Sequence, residues 1–173
     1  PDAEYVKVEV NNEKFIVGKK LLDSVFPNKN YKILEEFYGR ELVELQYENP
    51  MKDLLPIQWN ISGKVILSTE FVSLEEGTGL VHTAPGHGKE DYEEGKKNAL
   101  PMPSPVAING LLTEEAGKYS GKKAREVDSE IISDLESENA LVYKHSYTHD
   151  YPICWRCKSP LLMLSLPQWF LRV

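Results

Sequence analysis

The chain has 173 residues, 41% of them hydrophobic and 27% charged, with a net charge of -7 at pH 7. That length suits one domain with a real core, and the acidic balance argues against a general nucleic-acid coat while leaving room for one nucleotide end in a neutral pocket. No apolar run approaches the roughly 20 residues of a membrane helix, and the charged, alternating start is not a signal peptide.

The chain opens on an alternating run, E-Y-V-K-V-E-V, followed by the turn residues N-N-E-K and a returning F-I-V. This reads as a β-hairpin. Residues 19–26 form a short helix stopped by Pro27 and Asn28. Y-K-I-L-E-E-F and E-L-V-E-L-Q-Y flank Tyr38, Gly39 and Arg40 as a second hairpin. Residues 49–63, with two prolines and Trp59, read as loop. K-V-I-L-S-T-E-F-V and G-L-V-H-T-A form the next strand pair, which ends in a glycine-rich loop.

Residues 89–100 are expected to be helical: acidic residues come first and Lys96 and Lys97 later, the order that suits the helix dipole. Pro101, Pro103 and Pro105 stop that helix, and Asn109 with Gly110 marks a turn. Residues 120–139 read as an amphipathic helix, with Ala124, Val127, Ile131 and Leu135 at three- and four-residue steps. Residues 141–147 read as a strand. From Asp150 onward prolines, cysteines and tryptophans accumulate. The sum is an α+β chain, mainly β: a closed or strongly curved β-barrel core with helical insertions. It divides into residues 1–150 and an exit segment, 151–173.

The stretch G-T-G-L-V-H-T-A-P-G-H-G-K-E-D-Y, residues 77–92, is the densest in chemistry. Glycines at 77, 79, 86 and 88 let backbone approach a ligand. Asp91, near a helix start, puts a carboxylate where an ammonium group can pair with it. Glu90, a quarter-turn away, is solvated. His82, off a strand end, can hydrogen-bond a ligand or move a proton. Taken as a pattern alone, the stretch is equally a strand-to-helix connection whose histidines are satisfied locally.

The full stretch resembles the editing-domain signature of the isoleucyl-tRNA synthetases, the inserted connective-polypeptide domain. P-D-A-E-Y-V-K-V upstream resembles the segment after that family's threonine-rich peptide. Y-P-I-C-W-R-C-K-S-P-L-L and L-P-Q-W-F-L-R-V downstream resemble its return to the synthetase body. Three separated motifs thus occur in the family's order. Valyl and leucyl sister enzymes usually carry lysine or methionine where this chain has His82, and aspartate where it has Gly88, so the resemblance favours the isoleucyl family.

The resemblance implies roles. Asp91 anchors the α-ammonium of a misattached amino acid. His82 lies beside its side chain. Backbone at Thr78 and Gly79 lines the substrate site, and His87 belongs to it. The reaction implied is attack of water on valine esterified to the 3′ end of tRNA(Ile), with Asp91 and His82 as the catalytic pair. A valyl-type editing domain and a non-catalytic zinc-containing interaction module are the alternatives. The family's threonine-rich peptide is expected just before Pro1, so the segment by itself is expected to hydrolyse feebly.

Cys154 and Cys157 stand in C-W-R-C, a zinc-ligand spacing. They are half of a four-thiolate site whose other pair lies outside this chain, or part of a local site with His145 and His149, or a redox dithiol. The first is the arrangement the resemblance implies, with zinc held only by the full-length enzyme. ATP and Mg belong to a catalytic domain beyond this segment, which is expected to hold no cofactor itself. The remaining partner is the rest of a cytoplasmic synthetase chain, against which Trp155, Trp169 and Phe170 would pack. No membrane partner is expected.

Overall fold

The first strand, β1 (Glu4–Val10), pairs antiparallel with β2 (Glu13–Gly18) in the register Val10 opposite Glu13. Only Asn11 and Asn12 remain for the turn, at φ 52° and 69°. Positive φ at both central positions is what the twist of a two-residue hairpin demands, and asparagine tolerates it. The alternation of β1 turns Val6, Val8 and Val10 into a core with Val17, Leu22 and Phe26. Lys19–Leu21 is a 3-10 turn leading into α1 (Leu22–Val25), as expected for residues 19–26. Structure is described for residues 1–144, 146, 148–169 and 171 of this computed structural model.

The second hairpin does not form as expected. β3 (Lys32–Tyr38) pairs instead with the far edge of β1, giving an antiparallel sheet of order β2-β1-β3 with a register shift between Lys7 and Val8. The chain cannot return alongside β3 because Gly39–Leu42 winds into a 3-10 turn. The N–H groups of Gly39 and Arg40 are taken by the carbonyls of Ala3 and Pro1. The Glu41 carboxylate accepts the N–H of Tyr38 and caps the turn. The later part of the expected return strand is the two-residue β4 (Gln46–Tyr47), which pairs with β5 (Gly63–Lys64).

The strand pair expected over residues 64–72 and 79–84 is likewise absent beyond β5. Short side chains compete for the backbone there: the Ser68 hydroxyl accepts the N–H groups of Glu70 and Phe71, and Ser73 accepts that of Glu75. Such local bonds replace a ladder. These strands and turns belong to one compact unit, Pro1–Tyr47 with Gly63–His82.

The other unit comprises Glu48–Ser62 and Thr83–Val173. Residues 49–62, expected as loop, contain the 3-10 turns Lys52–Leu54 and Pro56–Gln58. They deliver Met51 to a core with Ala116, Tyr119 and Val127, flanked by Leu54, Leu112, Ile131 and Leu135. α2 (Lys89–Lys97) carries Glu90 and Asp91 in its first turn and Lys96 and Lys97 in its last. It ends early because Ala99 turns to φ 51°, letting the Leu100 N–H bond the Gly95 carbonyl.

α3 (Asp128–Ser137) starts eight residues later than the expected 120. Residues 121–124 are otherwise engaged: Gly121 and Ala124 donate to the carbonyls of Leu112 and Gly110, and Leu112 donates to Lys122. Residues 110–112 come from the expected turn, where Gly110 has φ 80° and donates to Ala107. The expected strand over 141–147 is not formed at 141–144 or 146; His145 and Tyr147 lie outside the described residues. The class is therefore mixed helix and sheet, with small antiparallel sheets.

Candidate functional site

Within the first unit, Thr78 and Gly79 form a turn locked to the β1–β2 hairpin. The Gly18 N–H donates to the Thr78 carbonyl at 2.8 Å. The Tyr5 hydroxyl donates to the Gly79 carbonyl at 2.6 Å. The Thr78 hydroxyl and the backbone of Leu80 close the turn locally. Gly79 has φ 78°, and a Cβ there would stand 3.3 Å from both Cα and N of Gly18. Conformation and space both require glycine. His82, four residues on from Thr78, is exposed.

Within the second unit, a tight turn runs from Ala84 to Gly88. It is closed by the His87 N–H donating to the Ala84 carbonyl, and Tyr92 then donates to Gly88 to open α2. Asp91, in the first turn of α2, is half-buried and folds back on this turn. Its Oδ2 accepts the Ala84 N–H at 3.1 Å. Gly88 makes room for it: a Cβ there would lie 2.6 Å from Asp91 Oδ2. The carboxylate is held by a backbone amide and stands in the first turn of the helix.

The His87 ring is held between chain segments of the same unit. Nδ1 lies 3.0 Å from the Met163 carbonyl, so it carries the proton, and Nε2 is buried without a partner among the described residues. Ser165 N–H donates to the Gly86 carbonyl, adding a second tie from the downstream segment.

Cys154 and Cys157 lie on a tight knuckle. Lys158 N–H donates to the Cys154 carbonyl and Cys154 N–H to the Ser159 carbonyl, with Ile153 bridged to Pro160. Lys158 takes φ 60° to make the turn. Both thiols are free. The Cys157 thiol is pushed down to about 7, first by the Ser159 hydroxyl, then by Ser159 backbone and by Cys154. Two thiols on one turn, one readily ionised, are a fitting half of a zinc donor set. Among the described residues no group of three or more His, Cys, Asp or Glu is placed to hold a metal. His145, a candidate for a local site, lies outside the described residues, and His149 Nδ1 faces the Asp150 carbonyl. Arg125 anchors the knuckle segment, donating to the Leu161 carbonyl and lying 4.2 Å over the Tyr151 ring.

Three participants escaped the sequence reading: Tyr5, the Ala84 amide and the Met163 carbonyl. Tyr5 is 74 residues from Gly79, and its side chain looked like any other position on β1. Main-chain donors and acceptors carry no residue-type signal.

No protein-family model matches the chain. It is 43% identical over 177 residues to the isoleucine–tRNA ligase of Sulfolobus acidocaldarius, an alignment covering 99% of this chain and 17% of that protein. The isoleucine–tRNA ligase of Methanothermobacter thermautotrophicus is 43% identical over 173 residues, covering 100% of this chain and 16% of that protein. That of Petrotoga mobilis is 42% identical, covering 99% and 18%. The chain belongs to the isoleucine–tRNA ligase family. It spans about a sixth of the length of these relatives. No described helix is long and apolar enough to cross a membrane.

Proposed function

We propose that the chain is the editing domain of an isoleucine–tRNA ligase, with a curved β core of the type shared by the valyl, isoleucyl and leucyl enzymes. Within the complete cytoplasmic synthetase it hydrolyses valine wrongly esterified to tRNA(Ile). The complete protein joins isoleucine to tRNA(Ile) using ATP and Mg at a catalytic domain outside this segment. The need for a second site is energetic. Isoleucine against valine is the standing example: one methylene in a hydrophobic pocket is worth about 1–3 kcal/mol. Binding alone therefore cannot exclude valine, and a smaller hydrolytic pocket that refuses isoleucine supplies the rest.

The observation that carries this reading is Asp91. It sits half-buried in the first turn of α2, with one oxygen on the Ala84 N–H. Its other oxygen takes no hydrogen bond among the described residues. A carboxylate so fixed, with one oxygen free, fits the α-ammonium of an aminoacyl ester.

The chemistry is positional. Asp91 holds the ammonium, the backbone of Thr78 and Gly79 lines the ester, and His82 lies beside the amino-acid side chain and assists proton transfer. His87 contributes to substrate binding. A fixed ester and an oriented water lower the barrier without a covalent intermediate. The water adds to the ester carbonyl, the ribose oxygen leaves, and free valine and tRNA result.

Cys154 and Cys157 supply two thiolates of a zinc site completed by the rest of the synthetase chain. A metal held there would tie the exit segment to the rest of the chain. The test of the editing reading is deacylation of Val-tRNA(Ile) by the full-length synthetase with and without Asp91→Ala.

A further inference from the structure

The turn that lines the proposed ester site is not self-supporting. Its glycines give it freedom, and its local side-chain bonds are the two between the Thr78 hydroxyl and the Leu80 backbone. Two longer bonds fix it instead. The Gly18 N–H, at the end of β2, holds the Thr78 carbonyl, and the Tyr5 hydroxyl, on β1, holds the Gly79 carbonyl. Both anchors sit on adjacent strands, in register: Tyr5 is the residue directly opposite Gly18.

Tyr5 is well suited to hold a fixed position. It is 5% exposed. Its ring packs against Gly39, where any Cβ would come within 2.9 Å of it. Burial pushes its hydroxyl above the ordinary tyrosine range, so it remains a proton donor at neutral pH. Gly18 also limits what can stand at position 79, where a Cβ would come within 3.3 Å of its Cα and N. A rigid strand pair therefore sets where two consecutive carbonyls point. Peptide planarity then sets the orientation of the Gly79 and Leu80 N–H groups that follow them.

We propose that Tyr5 is a positioning residue for ester hydrolysis: its hydroxyl, with the Gly18 amide, fixes the Thr78 and Gly79 backbone against which the misacylated tRNA 3′ end is oriented. This rests on the editing reading above. The substrate class is the same aminoacyl ester; Tyr5 acts through the turn, not on the reacting atoms. Loss of one anchor leaves the fold but lets the turn wander, and displacements of about 1 Å in a positioning element cost up to about a hundredfold in rate.

The test uses the full-length synthetase and Val-tRNA(Ile) under single-turnover and steady-state conditions. Tyr5→Phe keeps the ring and removes the bond. It is expected to lower deacylation kcat about tenfold while KM stays within about threefold and isoleucine aminoacylation is unchanged. Gly18→Ala crowds the seat of the turn without removing Tyr5: its Cβ would lie 3.1 Å from Leu74 and 3.3 Å from Leu21, with the Thr78 carbonyl in ordinary contact at 3.6 Å. It is expected to lower the same kcat, and it serves as the second variant should Tyr5→Phe fold poorly. Val8→Ala, buried in the same sheet in a core cluster that includes neither Tyr5 nor the turn, is the stability control.

A fall in kcat for both turn variants, at thermal stability no lower than that of Val8→Ala with normal deacylation, supports the proposal. An equal loss in Val8→Ala at matched thermal stability overturns it. Unchanged deacylation by Tyr5→Phe, in an enzyme that Asp91→Ala inactivates, overturns it alone. Unchanged deacylation by Asp91→Ala removes the editing reading, and the proposal falls with it.

Discussion

Gly77 and Gly79 differ by one feature, and that difference makes a quantitative test of the turn. Both have positive φ, 74° and 78°. A Cβ at Gly77 would meet nothing within 4 Å, whereas at Gly79 it would press at 3.3 Å on Cα and N of Gly18 and on Leu74. Alanine at either site pays about 1–2 kcal/mol for the left-handed conformation. It recovers about 0.4–1 kcal/mol from a less flexible unfolded chain. Gly77→Ala should therefore cost about 1 kcal/mol. Gly79→Ala adds the cost of forcing backbone apart, about 1–3 kcal/mol for overpacking, and should cost about 2–4 kcal/mol. Urea denaturation followed by circular dichroism reads both as midpoint shifts at constant slope. Equal midpoints for the two variants would refute the packing of Gly79 on Gly18.

Two further outcomes follow from side chains in the second unit. Asp134 receives Lys118 Nζ and the Tyr119 hydroxyl, and these bonds, Lys118 first, hold its carboxyl below the usual range. Its native value lies under the unfolded value of about 3.9, so its stabilising effect is full above about pH 4 and fades as pH falls through the lowered value. Asp134→Asn should lower the urea midpoint at pH 7, and the gap to the parent chain should close in acid. A gap independent of pH would contradict the ion pair. For the knuckle, metal analysis should find zinc bound by the full-length synthetase and lost in Cys157→Ser, while the 173-residue chain alone holds no stoichiometric zinc. Stoichiometric zinc on the chain alone would point to a local ligand set.

What could be read in the sequence was whatever is decided locally. The first hairpin was legible because alternation in β1 and two adjacent asparagines act within a dozen residues. α2 was legible because its charges are ordered along the dipole. The partner of β3 was not, because the donors of Gly39 and Arg40 are claimed by Ala3 and Pro1, far upstream. The late start of α3 has the same origin: an apolar stripe at helical spacing lost residues 121–124 to bonds with 110–112. At the candidate site, the clustering of glycine, histidine and aspartate over 77–92 was visible. The supports were not, because a tyrosine hydroxyl reaching 74 residues along the chain and a main-chain amide under Asp91 leave no pattern.

The central claim is that the Asp91 carboxylate, steadied by the Ala84 amide, takes the ammonium of a misattached valine. Its most direct measurement is hydrolysis of Val-tRNA(Ile) by full-length synthetase carrying Asp91→Ala, with isoleucine-dependent ATP–pyrophosphate exchange measured on the same preparation. Deacylation reduced about a hundredfold or more, with exchange intact, is the predicted result. Deacylation at the parent rate would contradict it.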